Sequence, residues 1–168
     1  ACDMLKAVAA VSLAAWLGAR FDPRMLPDLP LTAAEQAEYV LHFKYWAGFF
    51  CVVGHMFPCT AKFRGGKGIL CSATLTLLLD RRIALVCWSL FAVLWLTTRY
   101  VSLGSVSAAA VFPVMTHLVF GDAFATAFSV LIAALVLFAH RENIKRLLNG
   151  TENKFRFHVN APKSEGEA

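Results

Sequence analysis

The stretch AFATAFSVLIAALVLFA, residues 123–139, decides the fold, because it carries no charged residue along its whole length. A helix needs roughly 20 apolar residues to cross a bilayer core of about 30 Å, and fewer where the bilayer thins. Other full candidates are residues 5–19, 39–57, 83–97 and 101–120, and residues 69–79 are a shorter apolar stretch. The pattern predicts an all-α fold: a polytopic transmembrane helix bundle with short or broken helices at the cytoplasmic face.

Composition narrows the function classes. Apolar residues make up 58% of the 168 residues, only 16% are charged, and the formal net charge is +5. A basic balance suits anionic lipids or an anionic substrate, whereas nucleic acid is excluded as a partner because long apolar runs separate the basic residues. The five cysteines form no CxxC pair, so the sequence predicts neither a disulfide framework nor a metal site.

Basic residues in the connections predict the orientation, since cytoplasmic loops are enriched in Lys and Arg. If residues 69–79 count as a crossing, six crossings place ten basic residues on one side and four on the other. The richer side holds residues 58–68, the turn at 97–102 and the C-terminal segment. The sequence therefore predicts a multi-pass protein of the bacterial plasma (inner) membrane, with those three segments in the cytoplasm.

Local signals divide the chain further. Thr32 and Glu35 have the spacing of a capping box that opens a helix, and Gly121-Asp122 is typical of a tight turn. Residues 1–157 are predicted to be a single transmembrane domain, and residues 158–168, rich in Ser, Glu and Gly, a disordered tail. The start, which has no Met and no basic segment before an apolar core, does not resemble a signal peptide.

A glycine-rich basic loop is the first chemical motif, GHMFP at 54–58 followed by FRGGKG at 63–68. Glycines allow backbone N–H groups to approach an anion, and the cations of Arg64 and Lys67 suit phosphate. We interpret the loop as an anion site rather than an ordinary basic cytoplasmic loop. Its proposed phosphate-binding residues are His55, Arg64, Gly65, Gly66 and Gly68, with Lys67 as a catalytic residue.

Two further motifs lie on the same predicted side, TRYVSLGS at 98–105 and HRENIKRLLNGTENK at 140–154. Ser102 and Ser105 are three residues apart and share a helix face, as do His140 and Asn143. The hydroxyls could bind phosphate oxygens or simply allow close helix packing. His140 could act as an acid or base, or belong to an interfacial basic helix on anionic lipid.

A competing motif, His117 with Asp122, matches the HxxxxD pattern of a different acyltransferase superfamily. Two such residue types fall at this spacing by chance rather easily, and the predicted topology places the pair on the side away from the basic loop. We therefore interpret Asp122 as part of a turn.

Taken together, the three motifs resemble the PlsY family of acyl-phosphate:glycerol-3-phosphate acyltransferases. Residues 3–6, DMLK, also resemble the segment before that family's second span. The resemblance covers residues 3 to about 154. It implies transfer of an acyl group from acyl phosphate to the 1-hydroxyl of glycerol 3-phosphate, with no cofactor. Lysophosphatidic acid and phosphate would be the products, which places the activity in phospholipid biosynthesis.

The resemblance also implies roles for residues and partners. Lys67, Ser102, His140 and Asn143 are expected to be catalytic, and Ser105 joins the loop in binding substrate phosphate. Membrane lipids and the soluble enzyme that makes acyl phosphate are the expected partners. The hydroxyl proton could pass to His140 or to a substrate phosphate oxygen.

Two alternatives remain open from the sequence: a transporter or carrier of organic phosphate anions, and a non-catalytic membrane subunit. The family's first span and first cytoplasmic motif have no counterpart here. On that basis we expect the 168-residue chain to turn over slowly or not at all compared with a version extended upstream.

Overall fold

A computed structural model describes residues 2–20, 31–63 and 65–155, without the side chain of Thr60. This part of the chain contains seven α-helices and a short 3-10 turn at Cys59–Ala61. The helices are α1 (Cys2–Gly18), α2 (Ala33–Met56), α3 (Ile69–Leu79), α4 (Arg81–Thr98), α5 (Val101–Phe120), α6 (Ala123–Ala139) and α7 (Arg141–Leu148). The predicted tail, residues 158–168, lies outside the described residues.

Every apolar run found in the sequence lies in a helix, so the predicted all-α membrane bundle is confirmed. By length and composition α4 and α5 can each cross a membrane, and α6 with α7 would be a third crossing if the pair is one bent span. The pair bends by 63°, which fits the expectation of a broken helix. The total of six crossings stays a prediction.

The exterior of the bundle is as apolar as its interior. Tyr45, Leu75 and Ile132 are completely buried, while Leu85 and Leu118 expose 69% and 71% of their surface. Soluble proteins rarely carry large contiguous apolar surfaces, and such surfaces mark membrane or protein contacts. The outward-facing leucines are therefore suited to lipid.

Side-chain caps open the three helices that begin at one end of the bundle, α2, α4 and α6. The predicted capping box is confirmed: the Glu35 N–H donates to Thr32 Oγ1 at 3.3 Å and the Thr32 N–H to Glu35 Oε2 at 2.9 Å. Asp80 accepts from the Arg82 N–H at 2.7 Å, and Asp122 from the Ala125 N–H. We call this the capped end, defined by Thr32, Asp80 and Asp122.

The short helix α3 runs from the glycine-rich loop to Asp80 at the capped end. Eleven residues make a helix only about 16 Å long. The Lys44 ammonium donates to the Leu78 carbonyl at 3.1 Å, which places a cation at the negative end of the α3 dipole. α3 therefore ends on Lys44, and its other end carries the glycine-rich loop.

Candidate active site

Three of the helices that begin at the opposite end, α3, α5 and α7, have no side-chain cap among the described residues. The first N–H groups of a helix lack intrahelical partners and carry partial positive charge. Lys67 lies just before α3, Ser102 in the first turn of α5 and Asn143 in the first turn of α7. Three predicted catalytic residues thus lie at three helix N-termini, at what we call the site end.

A hydrogen-bonded network joins these three residues through Glu152. The Lys67 ammonium donates to Asn143 Oδ1 at 2.6 Å, and Asn143 Nδ2 donates to Glu152 Oε1 at 2.8 Å. The Ser102 hydroxyl donates to the same carboxylate oxygen. Arg146 Nε completes the network by donating to Glu152 Oε2 at 2.7 Å. The arrangement is a compact group of cationic and neutral donors around one carboxylate.

Glu152 is held in its ionised form. Burial acts to raise its pKa, since its side chain is only 7% exposed. The hydrogen bonds from Ser102, Asn143 and Arg146 outweigh that effect and lower the pKa of Glu152 to about 2. The carboxylate is therefore an anion at neutral pH, bound by the donors that an anionic substrate would use.

A return segment, residues 151–155, brings Glu152 to the site. It turns at Gly150, whose φ is 68°, and the Phe155 N–H donates to the Arg99 carbonyl at 2.8 Å. The Phe155 ring packs edge-on against Trp95 with centroids 5.8 Å apart. The segment therefore ties the end of α7 to the turn between α4 and α5.

His140 and Ser105 lie beside the network with part of their hydrogen-bonding capacity used. His140 is 3% exposed, and its Nδ1 lies 2.8 Å from the Val136 carbonyl. Because a carbonyl only accepts, Nδ1 carries the proton, and Nε2 of the neutral ring is an acceptor. The Ser105 hydroxyl donates to the Val101 carbonyl at 3.0 Å and keeps its lone pairs.

The glycine-rich loop packs closely on the end of α2. The N–H groups of Gly65 and Gly66 donate to the carbonyls of Met56 and His55, at 3.1 and 3.2 Å. A Cβ on Gly65 would lie 2.0 Å from the His55 carbonyl oxygen. These two glycines are thus required by packing, and their amides donate to the carbonyls at the end of α2. That geometry differs from the predicted use of both amides for an anion.

The other predicted loop residues fall in different places. Gly68 has a φ of 76°, a conformation that favours glycine, and it opens α3. His55 Nδ1 pairs with Asp3 Oδ1 at 3.2 Å. Arg64 lies outside the described residues, so its predicted phosphate contact stays a prediction.

An apolar cavity of about 460 Å³ lies between α3, α4, α5 and α6. Ile69, Ser105 and Val136 line it, and each is within one helical turn of Gly68, Ser102 or His140. Small side chains create the space; they are Ser72, Ala73, Ala92, Ala108, Ala109 and Ala133. The cavity therefore adjoins the polar network and suits a hydrocarbon chain.

The competing His117/Asp122 motif is not assembled as a catalytic pair. Asp122 caps α6 and pairs with His42 Nε2 at 3.2 Å, whereas His117 Nδ1 lies 3.5 Å from Thr126 Oγ1. Glu38, His42 and Asp122 each bring one potential metal-ligand atom to within 4.8 Å of the others. The contact between His42 and Asp122 and the capping of α6 by Asp122 already account for these side chains, so the turn interpretation is confirmed.

Sequence reasoning missed Glu152, Arg146 and the cavity. Glu152 stood inside a motif that had been identified, but nothing in its spacing indicated that it would meet Ser102, which is 50 residues away. The cavity depends on small residues from four helices. A stripe of Ser105, Ala108 and Ala109 at helical spacing was the available signal.

Known proteins resemble this chain along most of its length. A profile of the family described as Glycerol-3-phosphate acyltransferase matches residues 1–150. The protein of that name from Fusobacterium nucleatum subsp. nucleatum is 38% identical over 129 residues, 77% of this chain and 66% of that protein. Namesakes from Salinibacter ruber and Bacillus cereus are each 40% identical, over 64% and 67% of this chain. They are matched over 50% and 56% of their own lengths.

Solved structures share the fold. PlsY (YgiH), an integral membrane glycerol 3-phosphate acyltransferase, superposes in its glycerol 3-phosphate form with a TM-score of 0.61 at 23% identity, covering 89% of this chain and 96% of that one. Its lysphosphatidic acid form gives the same score and identity. The chain spans between half and two thirds of the length of the curated relatives it matches. Since the family profile covers residues 1–150, this chain belongs to the glycerol-3-phosphate acyltransferase family.

Proposed function

We propose that this membrane protein transfers an acyl group from acyl phosphate to glycerol 3-phosphate, giving 1-acyl-glycerol 3-phosphate and inorganic phosphate. One observation carries the proposal: a hydrogen-bonded network of Lys67, Ser102 and Asn143 at three uncapped helix N-termini adjoins an apolar cavity. Both substrates have a phosphate, and the donor has a hydrocarbon chain. Membership of the family and the names of its relatives support the same activity.

The phosphate groups need charge-assisted donors at the site end. Lys67 supplies a cation whose position Asn143 fixes, and Ser102 supplies a neutral hydroxyl donor. Two groups of residues stay in the proposed phosphate-binding set: from the chemistry of the loop, Arg64, Gly65, Gly66, Gly68 and His55, and by resemblance, Ser105. An incoming phosphate would accept hydrogen bonds from donors that Glu152 and Asn143 now occupy, so we expect binding to redistribute this network.

The chemical step requires no covalent intermediate on the protein. A hydroxyl oxygen of glycerol 3-phosphate attacks the acyl carbonyl carbon, the bond from that carbon to the phosphate oxygen breaks, and phosphate leaves with the bonding electrons. The hydroxyl proton passes to His140 Nε2 or to a phosphate oxygen. Positioning of the two substrates and stabilisation of the developing negative charge would supply most of the rate.

The orientation proposed is that the site end faces the cytoplasm of a bacterial plasma membrane, where the soluble enzyme that makes acyl phosphate would deliver the donor. The excess of basic residues on that side supports it. Single cysteines at Lys62 and Asn153, introduced into a variant lacking the native cysteines, should both react with a membrane-impermeant thiol reagent only after cell lysis. Labelling of either position in intact cells would contradict the orientation.

The proposed function is tested by comparing acyl donors. The purified chain in lipid nanodiscs is given labelled glycerol 3-phosphate with acyl phosphate, acyl-coenzyme A or acyl carrier protein as separate donors. We expect labelled lysophosphatidic acid from acyl phosphate alone, with equimolar release of phosphate. Product from a thioester donor would change the proposed donor. Saturable uptake of labelled glycerol 3-phosphate into proteoliposomes without product would favour the transporter.

A further inference from the structure

The apolar cavity has a defined depth along α5. Ser105, Ala109 and Phe112 all line it and lie on one face of that helix, because they are separated by four and three residues. Ser105 is one turn from Ser102 at the network, and Phe112 lies seven residues farther along. Two turns of helix rise about 10 Å, and an extended hydrocarbon chain of that length has roughly eight carbons at ordinary C–C spacing.

Two buried side chains close the far end. Phe112 is 3% exposed and Ile132 is completely buried, and they are the lining residues of α5 and α6 farthest from the network. Behind Phe112 lies the ring of Tyr45, with centroids 6.5 Å apart. The Tyr45 hydroxyl is hydrogen-bonded to Thr116 Oγ1 at 3.0 Å, so the group behind Phe112 is itself held in place.

We propose that Phe112 sets the number of acyl carbons that the protein holds and that Ala109, one turn nearer the network, keeps the passage to it open. The inference rests on the proposed function, because it assigns the cavity to the donor's acyl chain. About eight carbons next to the carboxyl group are enclosed, and carbons beyond them leave the cavity toward the bilayer. Leu70 and Trp88, each 41% exposed, line the side that faces outward.

The inference predicts a break in the dependence of affinity on chain length. Each methylene enclosed in the cavity contacts protein atoms that are packed more densely than liquid hydrocarbon, so it gains dispersion energy relative to a methylene in the bilayer. Methylenes beyond Phe112 add no more than they gain in a protein-free membrane. A plot of affinity against chain length should therefore rise and then level off near eight carbons.

The experiment measures binding of a homologous series of n-alkyl phosphates to the chain in nanodiscs, after subtraction of binding to empty nanodiscs. Alkyl phosphates have the headgroup and the chain but no acyl group to transfer, so turnover is not required. The variants are Ala109→Phe, which blocks the passage, and Phe112→Ala, which opens it toward Tyr45. Ala110→Phe is the matched control, because Ala110 is the next residue on the same helix but is exposed and does not line the cavity.

We expect the break to move to chains shorter by about four carbons in Ala109→Phe, in line with the rise of one helical turn. It should move to longer chains in Phe112→Ala and stay in place in Ala110→Phe. An unmoved break in both cavity variants, with wild-type binding intact, would overturn the length inference alone. If the wild-type chain binds neither glycerol 3-phosphate nor any alkyl phosphate, the proposed function itself fails.

Discussion

The two ends of the helix bundle use polar residues for different purposes. At the capped end, Thr32, Asp80 and Asp122 each accept a hydrogen bond from an N–H two or three residues along their own helix. At the site end, Ser102 and Asn143 lie in the first turns of α5 and α7, but both side chains donate to Glu152 instead. At the capped end, the hydrogen bonds of the capping side chains are therefore made within their own helices.

The site end leaves helix N-termini without side-chain caps and connects distant parts of the chain around one carboxylate. Each side-chain cap contributes typically about 1 kcal/mol of stability. Leaving three helices without that contribution is unfavourable for folding unless a ligand or a tertiary network takes its place. The difference between the ends teaches that the proposed phosphate site lies where uncapped helix N-termini converge, whereas Gly65 and Gly66 donate their amides to the end of α2.

The largest expected effect is a loss of activity when a residue at the site end is substituted. Lys67→Ala removes one of the two cations of the network and the proposed charge-assisted hydrogen bond to substrate phosphate, worth roughly 1.5–3 kcal/mol or more. Acyl transfer should fall at least about tenfold and up to a few hundredfold. The measurement is the rate of formation of labelled lysophosphatidic acid, with folding checked by thermal unfolding.

Two controls sharpen that comparison. Lys145→Ala removes one exposed positive charge from α7 outside the network, and His117→Ala removes a histidine near the capped end. Both should keep most of the activity. A severe loss in His117→Ala would revive the competing motif, and retention of activity in Lys67→Ala would remove the central role given to the site end.

The next effect concerns stability of the glycine-rich loop. In Gly65→Ala the new Cβ would meet the His55 carbonyl oxygen at 2.0 Å, so the loop must shift, at a cost of roughly 1–3 kcal/mol. Gly54→Ala is the matched control, since a Cβ there meets nothing within 4 Å and Ala favours a helix by up to about 1 kcal/mol. Thermal unfolding should show a lower midpoint for Gly65→Ala and an equal or higher one for Gly54→Ala; equal midpoints for both variants would contradict the packing role.

The pH dependence of stability tests the carboxylate at the site end. The pKa of Glu152 lies at about 2 in the folded protein and near 4.5 ordinarily, so its ionised form stabilises the fold above pH 4.5. This contribution diminishes as the pH falls from 4.5 toward 2. The stability difference between the wild type and Glu152→Gln should therefore shrink over that window and be constant from pH 5 to neutral pH. A difference that is independent of pH down to 2 would show that Glu152 acts through packing alone.

The smallest effect belongs to the capped end. Thr32→Ala removes both hydroxyl contacts of the capping box and should lower the free energy of unfolding by about 1 kcal/mol. Thr32→Ser keeps the cap and should unfold like the wild type. Acyl transfer should be unchanged in both variants at temperatures where they are folded. Loss of activity in Thr32→Ala without unfolding would mean that the two ends are coupled.

The sequence predicts those parts of the fold that depend on interactions between residues close together in the chain. The helices, the capping box at Thr32 and the turn at Asp122 depend on residues within a few positions of one another, so the sequence predicts them directly. Lys67, Ser102 and Asn143 were identified from motifs, and the fold brings them together. Their convergence depends on Glu152, a contact that crosses 50 residues and requires the tertiary path of the return segment.

The glycine loop was predictable in position but not in detail. Glycines suit both close approach to an anion and close approach to backbone, and the sequence does not distinguish these uses. Only the position of His55 at the end of α2 shows that Gly65 and Gly66 are packed against protein. Likewise, a run of small residues on α5 fits either tight helix contact or a cavity, and the outcome depends on how far α3 lies from α5 and α6.

The return segment has a consequence for protein engineering. A shortened or fused version cut at the end of α7, after Leu148, would preserve every helix that the structure describes. It would nevertheless lose the Glu152 carboxylate, which accepts hydrogen bonds from Ser102, Asn143 and Arg146. It would also lose the hydrogen bond from the Phe155 N–H to the Arg99 carbonyl. Such a protein would retain its helices, but the buried Ser102 and Asn143 and the exposed Arg146 would need other acceptors. The functional boundary of the molecule therefore falls at or beyond Phe155, and reporter domains are best attached after that residue.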